Sequence, residues 1–406
     1  MASRMKKYIT EPATRIPVAG KYDVVVVGGG IAGVTAAVAA ARNSASVCLI
    51  EKENALGGLA TLGNVIIYLP LCDGMGNQVI KGLGEELLKL SISDNYDEIP
   101  EGWKNGGNAN LRKQDRYRVD FNPMTFMLEL ESLIEKNKIK LYYDTRFCEV
   151  VKNGNSIEAV IVENKDGRTA MQCGSVVDAS GDADVCWRAG ENTVASDANT
   201  RSSWFYHFDG SKIVLNTFSR KYDKFATKAP NGERGFAGHY ADDVTEFTLE
   251  TRKLIKKRLK DLKKENSAIS PLFMTAIPAF RMTRRLQGSV ELEESDDKRY
   301  FDDTVGMTGD WRNNGPIFYI PLRSLAAVKT DNLITAGRCM SSGRTGWDIT
   351  RVIPTCAVTG EAAGTAAAML SSTKIGSFKD LDISKLQAQL KKQKVILDKK
   401  YSRTGD

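Results

Sequence analysis

The amino-acid sequence predicts an α/β protein: a discontinuous domain on a parallel sheet, with an antiparallel meander inserted in it, and a separate mixed α+β cap. Three observations carry this. A β-branched run at 23–27 stops at Gly28-Gly29-Gly30 and gives way to an Ala-rich stretch and a second apolar strand at 46–50, the strand–turn–helix–strand opening of a parallel sheet. Short alternating strands then crowd 140–177, and a parallel-type strand returns at 332–336 ahead of a long Ala/Gly helix. The chain therefore leaves its first domain and comes back to it.

Taken in order, the first helix is expected at 32–43. The Gly-rich 62–84 is irregular and leads into a short helix near 85–90. Polar residues around Gly106-Gly107 make 94–118 a loop. At 123–137 the spacing of Met127, Leu128, Leu130, Leu133 and Ile134 predicts an amphipathic helix. The meander comprises strands at 141–143, 147–151, 157–162 and 169–173, punctuated by Asn153-Gly154-Asn155 and Asp166-Gly167. A parallel strand follows at 176–179. Residues 200–325 are richer in aromatics, with mixed signals. The long helix is expected at 354–370, and Ile383, Leu386 and Leu390 mark a last helical face. The expected domains are 20–195 with 326–372, a cap at 196–325, and a helical tail at 373–406.

Composition narrows the function classes. The 406 residues carry 57 basic and 50 acidic side chains, a net charge of +7. Eight lysines and arginines fall within 252–264 among Leu254, Ile255, Leu259 and Leu262; that spacing is helical, and the charges read as a solvated helix face. Aromatics are not interleaved with them as a base-stacking surface requires, so no nucleic-acid partner is expected. The seven cysteines (48, 72, 148, 173, 186, 339 and 356) include no C-x-x-C pair, which argues against an iron–sulfur cluster, a zinc site or a redox dithiol; no metal is expected. No apolar run has the length of a signal peptide or a membrane span. A cytoplasmic protein without a membrane partner is the expectation.

Gly28-x-Gly30-x-x-Gly33 sits between the first strand and helix, the context a dinucleotide fingerprint needs. Gly28 permits the tight turn, Gly30 admits a pyrophosphate, and Gly33 allows close helix–strand packing. Glu51 closes the second strand about 20 residues on, where an acidic side chain accepts hydrogen bonds from a ribose. Lys52, then Gly57-Gly58 and Thr61, extend the motif in the manner of FAD-binding chains rather than plain dehydrogenases. FAD is the expected cofactor.

At these residues the sequence resembles glutathione-reductase-type flavoproteins of the fumarate reductase/succinate dehydrogenase-like group, and more narrowly the bacterial FAD-dependent oxidoreductase family. Three further stretches carry the likeness: Asp178-Ala179-Ser180-Gly181-Asp182-Ala183-Asp184; the cap motif from Pro278 through Arg281, Arg284 and Arg285 to Gly288; and Asn332 to Arg338, continuing through Arg351 and Thr355 to Gly360 and Gly364. The resemblance implies a Rossmann-like FAD-binding domain. It implies cofactor contacts from Gly28, Gly30, Ile31, Ala32, Gly33, Glu51, Lys52, Gly57, Gly58, Leu59 and Thr61. Val150, Ala179, Ser180, Gly181, Asp182, Gly337, Arg338, Arg351 and Thr355 complete that set. The small residues Thr355, Gly360 and Gly364 would bring the start of the long helix against the flavin, where its dipole and Arg351 favour negative charge.

No second G-x-G-x-x-G is present, so a dedicated nicotinamide domain is not expected, and a small-molecule substrate or a redox partner protein must exchange electrons with the flavin. The reaction class is hydride transfer to or from a small, oxygen-rich or anionic substrate. Candidate catalytic residues are Arg281 and Arg284 as oxyanion clamps, His239 as an acid/base, and Cys72 as a thiol near the flavin. His207, the other histidine, is weaker. The rival readings are an electron-transfer subunit, a thiazole-synthase-like enzyme, and a monooxygenase or halogenase.

Overall fold

The computed structural model describes residues 9–105, 107–218, 233–373 and 376–403. Its main sheet runs in the order Lys140–Tyr142, Val47–Ile50, Val18–Val27, Gly167–Asp178, Ser156–Asn164, Arg146–Asn153, with Leu333–Thr335 also paired to Gly167–Asp178. Val27 lies opposite both Ile50 and Asp178, and Asp178 opposite Thr335. These parallel strands therefore end level with one another, and Gly28, Glu51, Ala179 and Ala336 emerge together at one edge. The carboxyl edge of such a sheet is where α/β proteins bind ligands.

Two strands differ from the sequence reading. Gly167–Asp178 is continuous: its first half pairs antiparallel with Ser156–Asn164 and its last residues pair parallel with Leu333–Thr335. One long strand thus serves both the meander and the parallel sheet. Lys140–Tyr142 pairs parallel with Val47–Ile50 and belongs to the main sheet, because the helix Pro123–Lys136 before it supplies the crossover a parallel neighbour needs. That helix buries Phe126, Leu130, Leu133 and Ile134, while Leu128 faces solvent. The stretch read as loop holds a short helix, Ala109–Gln114, begun by Asn108 accepting from the Leu111 N–H.

The helix Ile31–Arg42 is packed directly by Ile353–Ser372. A Cβ on Gly360 would lie 2.0 Å from Thr35 Oγ1, and one on Gly364 would lie 2.0 Å from the Ala36 carbonyl. The two glycines therefore let two helices cross, and they do not face a ligand. The tail helix Ile383–Lys392 adds Leu386 and Leu390 to the same core.

The span 196–325 divides by packing. Its hairpin Thr304–Gly309 and Ile317–Pro321 buries Val305, Met307, Phe318 and Ile320 in the main core. What stands over the sheet edge is a three-stranded sheet in the order Ile213–Phe218, Ser203–Phe208, Ser270–Met274, with the helix Ala241–Glu265. A small cluster of Phe236, Phe247 and Phe280 holds that helix in place.

Candidate functional site

Between the sheet edge and the cap lies a cleft of about 580 Å³, within the range of small-molecule and cofactor sites. One wall is the glycine turn. Gly28 has φ 103°, a left-handed conformation that glycine takes without strain, and a Cβ on Gly33 would sit 1.7 Å from the Gly28 carbonyl. At Gly30, by contrast, a Cβ would meet nothing within 4 Å. The turn is thus close-packed on its inner side and open toward the cleft, where the N-terminus of Ile31–Arg42 presents its amides. Glu51 reaches back across this turn: Oε2 accepts from the Gly29 N–H at 2.6 Å and Oε1 from the Glu53 N–H at 2.8 Å. Burial holds its carboxyl above the usual carboxylate range, against the pull of those backbone donors and Lys52.

The N-terminus of a second helix, Ile353–Ser372, also opens on the cleft through Ile353 and Cys356, beside Arg351. Arg351 is paired with Asp348, itself buried and in reach of Arg312. Its Nε–H is buried and meets no acceptor among the described residues. Arg338 is fully engaged: Nε donates to the Gly181 carbonyl at 2.6 Å, one terminal nitrogen to Phe280 O at 2.5 Å, and the other to Asp182 Oδ1 at 2.9 Å. Asp182 Oδ1 also accepts from Thr283 Oγ1 at 2.6 Å. This knot ties the loop after the central strand to the cap.

Of the residues singled out from sequence, Gly28, Gly30, Ile31, Ala32, Glu51 and Lys52 line the cleft, as do Gly57, Gly58 and Leu59. Ala179, Ser180, Gly181, Asp182, Arg338 and Arg351 line its far side. Five others are placed elsewhere. Gly33 and Gly337 pack the backbone, Gly337 against Ala32. Thr61 Oγ1 donates to Leu56 O at 2.5 Å inside its own turn. Thr355 is buried against Thr308 at 2.8 Å, and Val150 packs on the meander side of the sheet.

The catalytic candidates fare differently. Cys72 is fully buried in the main core, its sulfur 3.3 Å from the Tyr117 N–H, so it cannot face a flavin. Arg284 is buried off the cleft, donating to Asp184 at 2.7 Å and to the Asp182 carbonyl at 2.9 Å, with its guanidinium over Trp187. It braces the loop 182–184, and the oxyanion role is withdrawn. Arg285 likewise pairs with Glu291 and stacks on Trp347. Arg281 sits in the loop before strand Arg284–Leu286, where its N–H donates to Asn199 Oδ1 at 3.2 Å. The cleft wall there is made by Ile277, Pro278 and Phe280. His239 lies against Tyr240 with ring centroids 4.2 Å apart and the rings tilted by 41°, while Gly238 and Ala241 nearby line the cleft. His207 is buried against Asn216.

Sequence reasoning missed Arg146, which joins Lys52 at one end of the cleft, and Val244 and Thr245 at the other. Arg146 opens a strand whose place near Glu51 follows only from the strand order, and Val244 and Thr245 lie in a helix whose pattern signals packing alone. Cys356 is a further cleft residue; burial pushes its thiol up to about 12, so it is not a ready nucleophile.

A model of the family described as FAD dependent oxidoreductase matches residues 23–204 and 192–390. The chain belongs to that family. Its cofactor is FAD and it is an oxidoreductase. Over 80 residues, 20% of this chain, it is 35% identical to thioredoxin reductase from Ureaplasma parvum serovar 3; the match spans 26% of that relative's length. Among solved structures it is similar to p-nitrophenol 4-monooxygenase from Pseudomonas putida DLL-E4 (11% identity, 91% of this chain and 83% of that one, TM-score 0.48). It is also similar to a geranylgeranyl bacteriochlorophyll reductase-like protein from Thermoplasma acidophilum (14% identity, 92% and 82%, TM-score 0.41). Among the described residues of this FAD-dependent oxidoreductase, no helix is long and apolar enough to cross a membrane.

The cleft suits the family's cofactor on its own chemistry. The open face at Gly30, the helix N-terminus behind it and the free lone pairs of Glu51 match a pyrophosphate and a ribose. The orphaned Nε–H of Arg351 at the second helix N-terminus matches an acceptor oxygen at the other end.

Proposed function

We propose that this FAD-dependent oxidoreductase transfers hydride between its flavin and a small organic substrate admitted beneath the cap. The observation that carries this is the single cleft lined at once by the glycine turn with Glu51 and by the cap residues Val244, Thr245, Ile277 and Phe280. FAD, when bound, supplies the two-electron acceptor or donor. The chain's own residues then have separable tasks. Glu51 and the turn amides anchor the dinucleotide. The cap residues present a mainly apolar wall that excludes water, with the Thr245 hydroxyl as a polar point for orientation.

Arg351 takes over the part first read into the cap arginines. It is held by Asp348 on the cleft wall, where its guanidinium can fix an oxyanion of cofactor or substrate. The test is anaerobic screening of the FAD-loaded protein against small organic donors, and of the reduced protein against acceptors, by flavin absorbance. Saturable bleaching or reoxidation by one chemical class supports the reading. Exchange with a protein carrier and with no small molecule would replace it by the electron-transfer reading.

A further inference from the structure

We propose that the outer end of the cap is a docking surface for an anionic lipid bilayer. This goes beyond the reaction proposed above and does not depend on it. The chain's excess charge is localised: residues 252–264 hold eight basic side chains and one acidic one, so the rest of the chain is electrically neutral. All eight are exposed. Arg252, Lys256, Lys260 and Lys263 form no ion pair among the described residues, while Lys253 and Lys264 pair only with helix neighbours Glu250 and Asp261.

Beside this charge the structure places an apolar ledge that the sequence pattern does not mark. The edge strand Ser270–Met274 is exposed throughout, with Leu272 at 53%, Phe273 at 50% and Met274 at 43% of full exposure. In the same sheet Phe208 pairs with Ile213 and with Ser270, and Tyr206 pairs with Phe273. Cross-strand partners point to one side, so Ile213 (65% exposed), Phe208 (37%) and Phe273 form one apolar face. Asn266, just past the helix, donates to the Asp209 carbonyl at 2.7 Å and ties the basic end of the helix to the tip of this hairpin.

A cationic helix end joined to exposed Leu, Ile and Phe fits the interface of an anionic membrane, where lysines meet headgroups and apolar side chains enter the acyl boundary. Three alternatives fit less well. A second copy would bring two such charged ends together. A protein partner selects arginine and aromatic anchors and disfavours lysine at its core, yet six of the eight charges are lysines. A nucleic acid gives the aliphatic ledge nothing to do.

The experiment uses the FAD-loaded full chain in sedimentation with vesicles of phosphatidylcholine, either pure or carrying about a third phosphatidylserine. Binding is expected only to the anionic vesicles and should weaken with salt. Lys256→Ala/Lys260→Ala/Lys263→Ala should lower partitioning on the order of 100-fold, roughly fivefold per lysine. Leu272→Ser/Phe273→Ser should lower it about tenfold or more. All five side chains are exposed, so flavin content and melting temperature should match the parent and report folding directly. Equal binding to neutral vesicles, binding that survives either variant, or retention by an oligonucleotide or polyglutamate without vesicle binding would overturn the proposal.

Discussion

Arg338→Ala tests the knot that joins the cap to the sheet edge. The guanidinium makes three hydrogen bonds in one plane, to Gly181 O, Phe280 O and Asp182 Oδ1, and its side chain is 16% exposed. The Thr283 hydroxyl carries one proton and lies 2.6 Å from Asp182 Oδ1 and 3.2 Å from Gly181 O, so it can serve only one of them, and the loss falls on Phe280 O, on Gly181 O and on the uncompensated Asp182 charge. Removing one partner of such a pair costs about 3–5 kcal/mol. At roughly 1.2 °C per kcal/mol for a chain of this size, melting should fall by about 4–6 °C. Arg338 also lines the cleft, so FAD should dissociate more readily, and the stabilisation gained on adding FAD should shrink. Arg338→Lys restores the charge but only one direction of bonding and should recover less than half of the loss. The assay is a thermal melt of each protein with and without saturating FAD, paired with flavin content after gel filtration. An alanine variant melting within about 1 °C of the parent and keeping its flavin would refute the clamp.

Four further outcomes are expected. Glu51→Ala should weaken FAD binding by about 1.5–3 kcal/mol, read by titration of the apoprotein. Arg284→Ala should lower stability by about 2 kcal/mol, because Asp184 loses its partner, yet leave flavin reduction by the identified substrate unchanged; a large fall in turnover would reinstate its catalytic role. Glu361, buried beneath the Leu83 N–H, is raised from 4.5 to about 7 by burial. A raised acid penalises the native state as pH climbs from its unfolded to its folded pKa, so Glu361→Gln should gain on the parent between those values, by up to about 3 kcal/mol above pH 7; a pH-independent difference in denaturant melts would show that Glu361 does not titrate there. NADH and NADPH should bleach the flavin slowly and without saturation in stopped flow, and fast saturable reduction would reveal a nucleotide site outside the fingerprint.

The parallel sheet was legible because its signals are local. A β-branched run, a glycine turn and an Ala-rich helix state their own geometry, and so Val18–Val27, Ile31–Arg42 and Val47–Ile50 fall near their expected places. What depends on pairing was not legible. Nothing local says that Gly167–Asp178 changes partners midway along one strand, or that Lys140–Tyr142 joins the far side of the parallel sheet. The hairpin Thr304–Gly309/Ile317–Pro321 carries aromatics like those of the cap, yet its apolar residues complete the main core.

The same distinction governs the site. Glycines and Glu51 were readable because steric and hydrogen-bonding demands at a dinucleotide turn leave few residue types able to meet them. An arginine has no such restriction. Arg281, Arg284 and Arg285 share a short apolar stretch with the charge an anionic substrate would need, but a buried guanidinium first satisfies the carboxylates that fold against it. Asp184 and Glu291 are those carboxylates, and neither is marked by spacing. Arg351 has a partner too, in Asp348, and like Arg285 it keeps a buried Nε–H without an acceptor among the described residues, but Arg351 also lines the cleft and Arg285 does not. The informative quantity is therefore a left-over donor on a residue that also lines the cleft. That remainder exists only once strand order has brought the ends of Val18–Val27, Val47–Ile50 and Gly167–Asp178 level with the start of Ile353–Ser372.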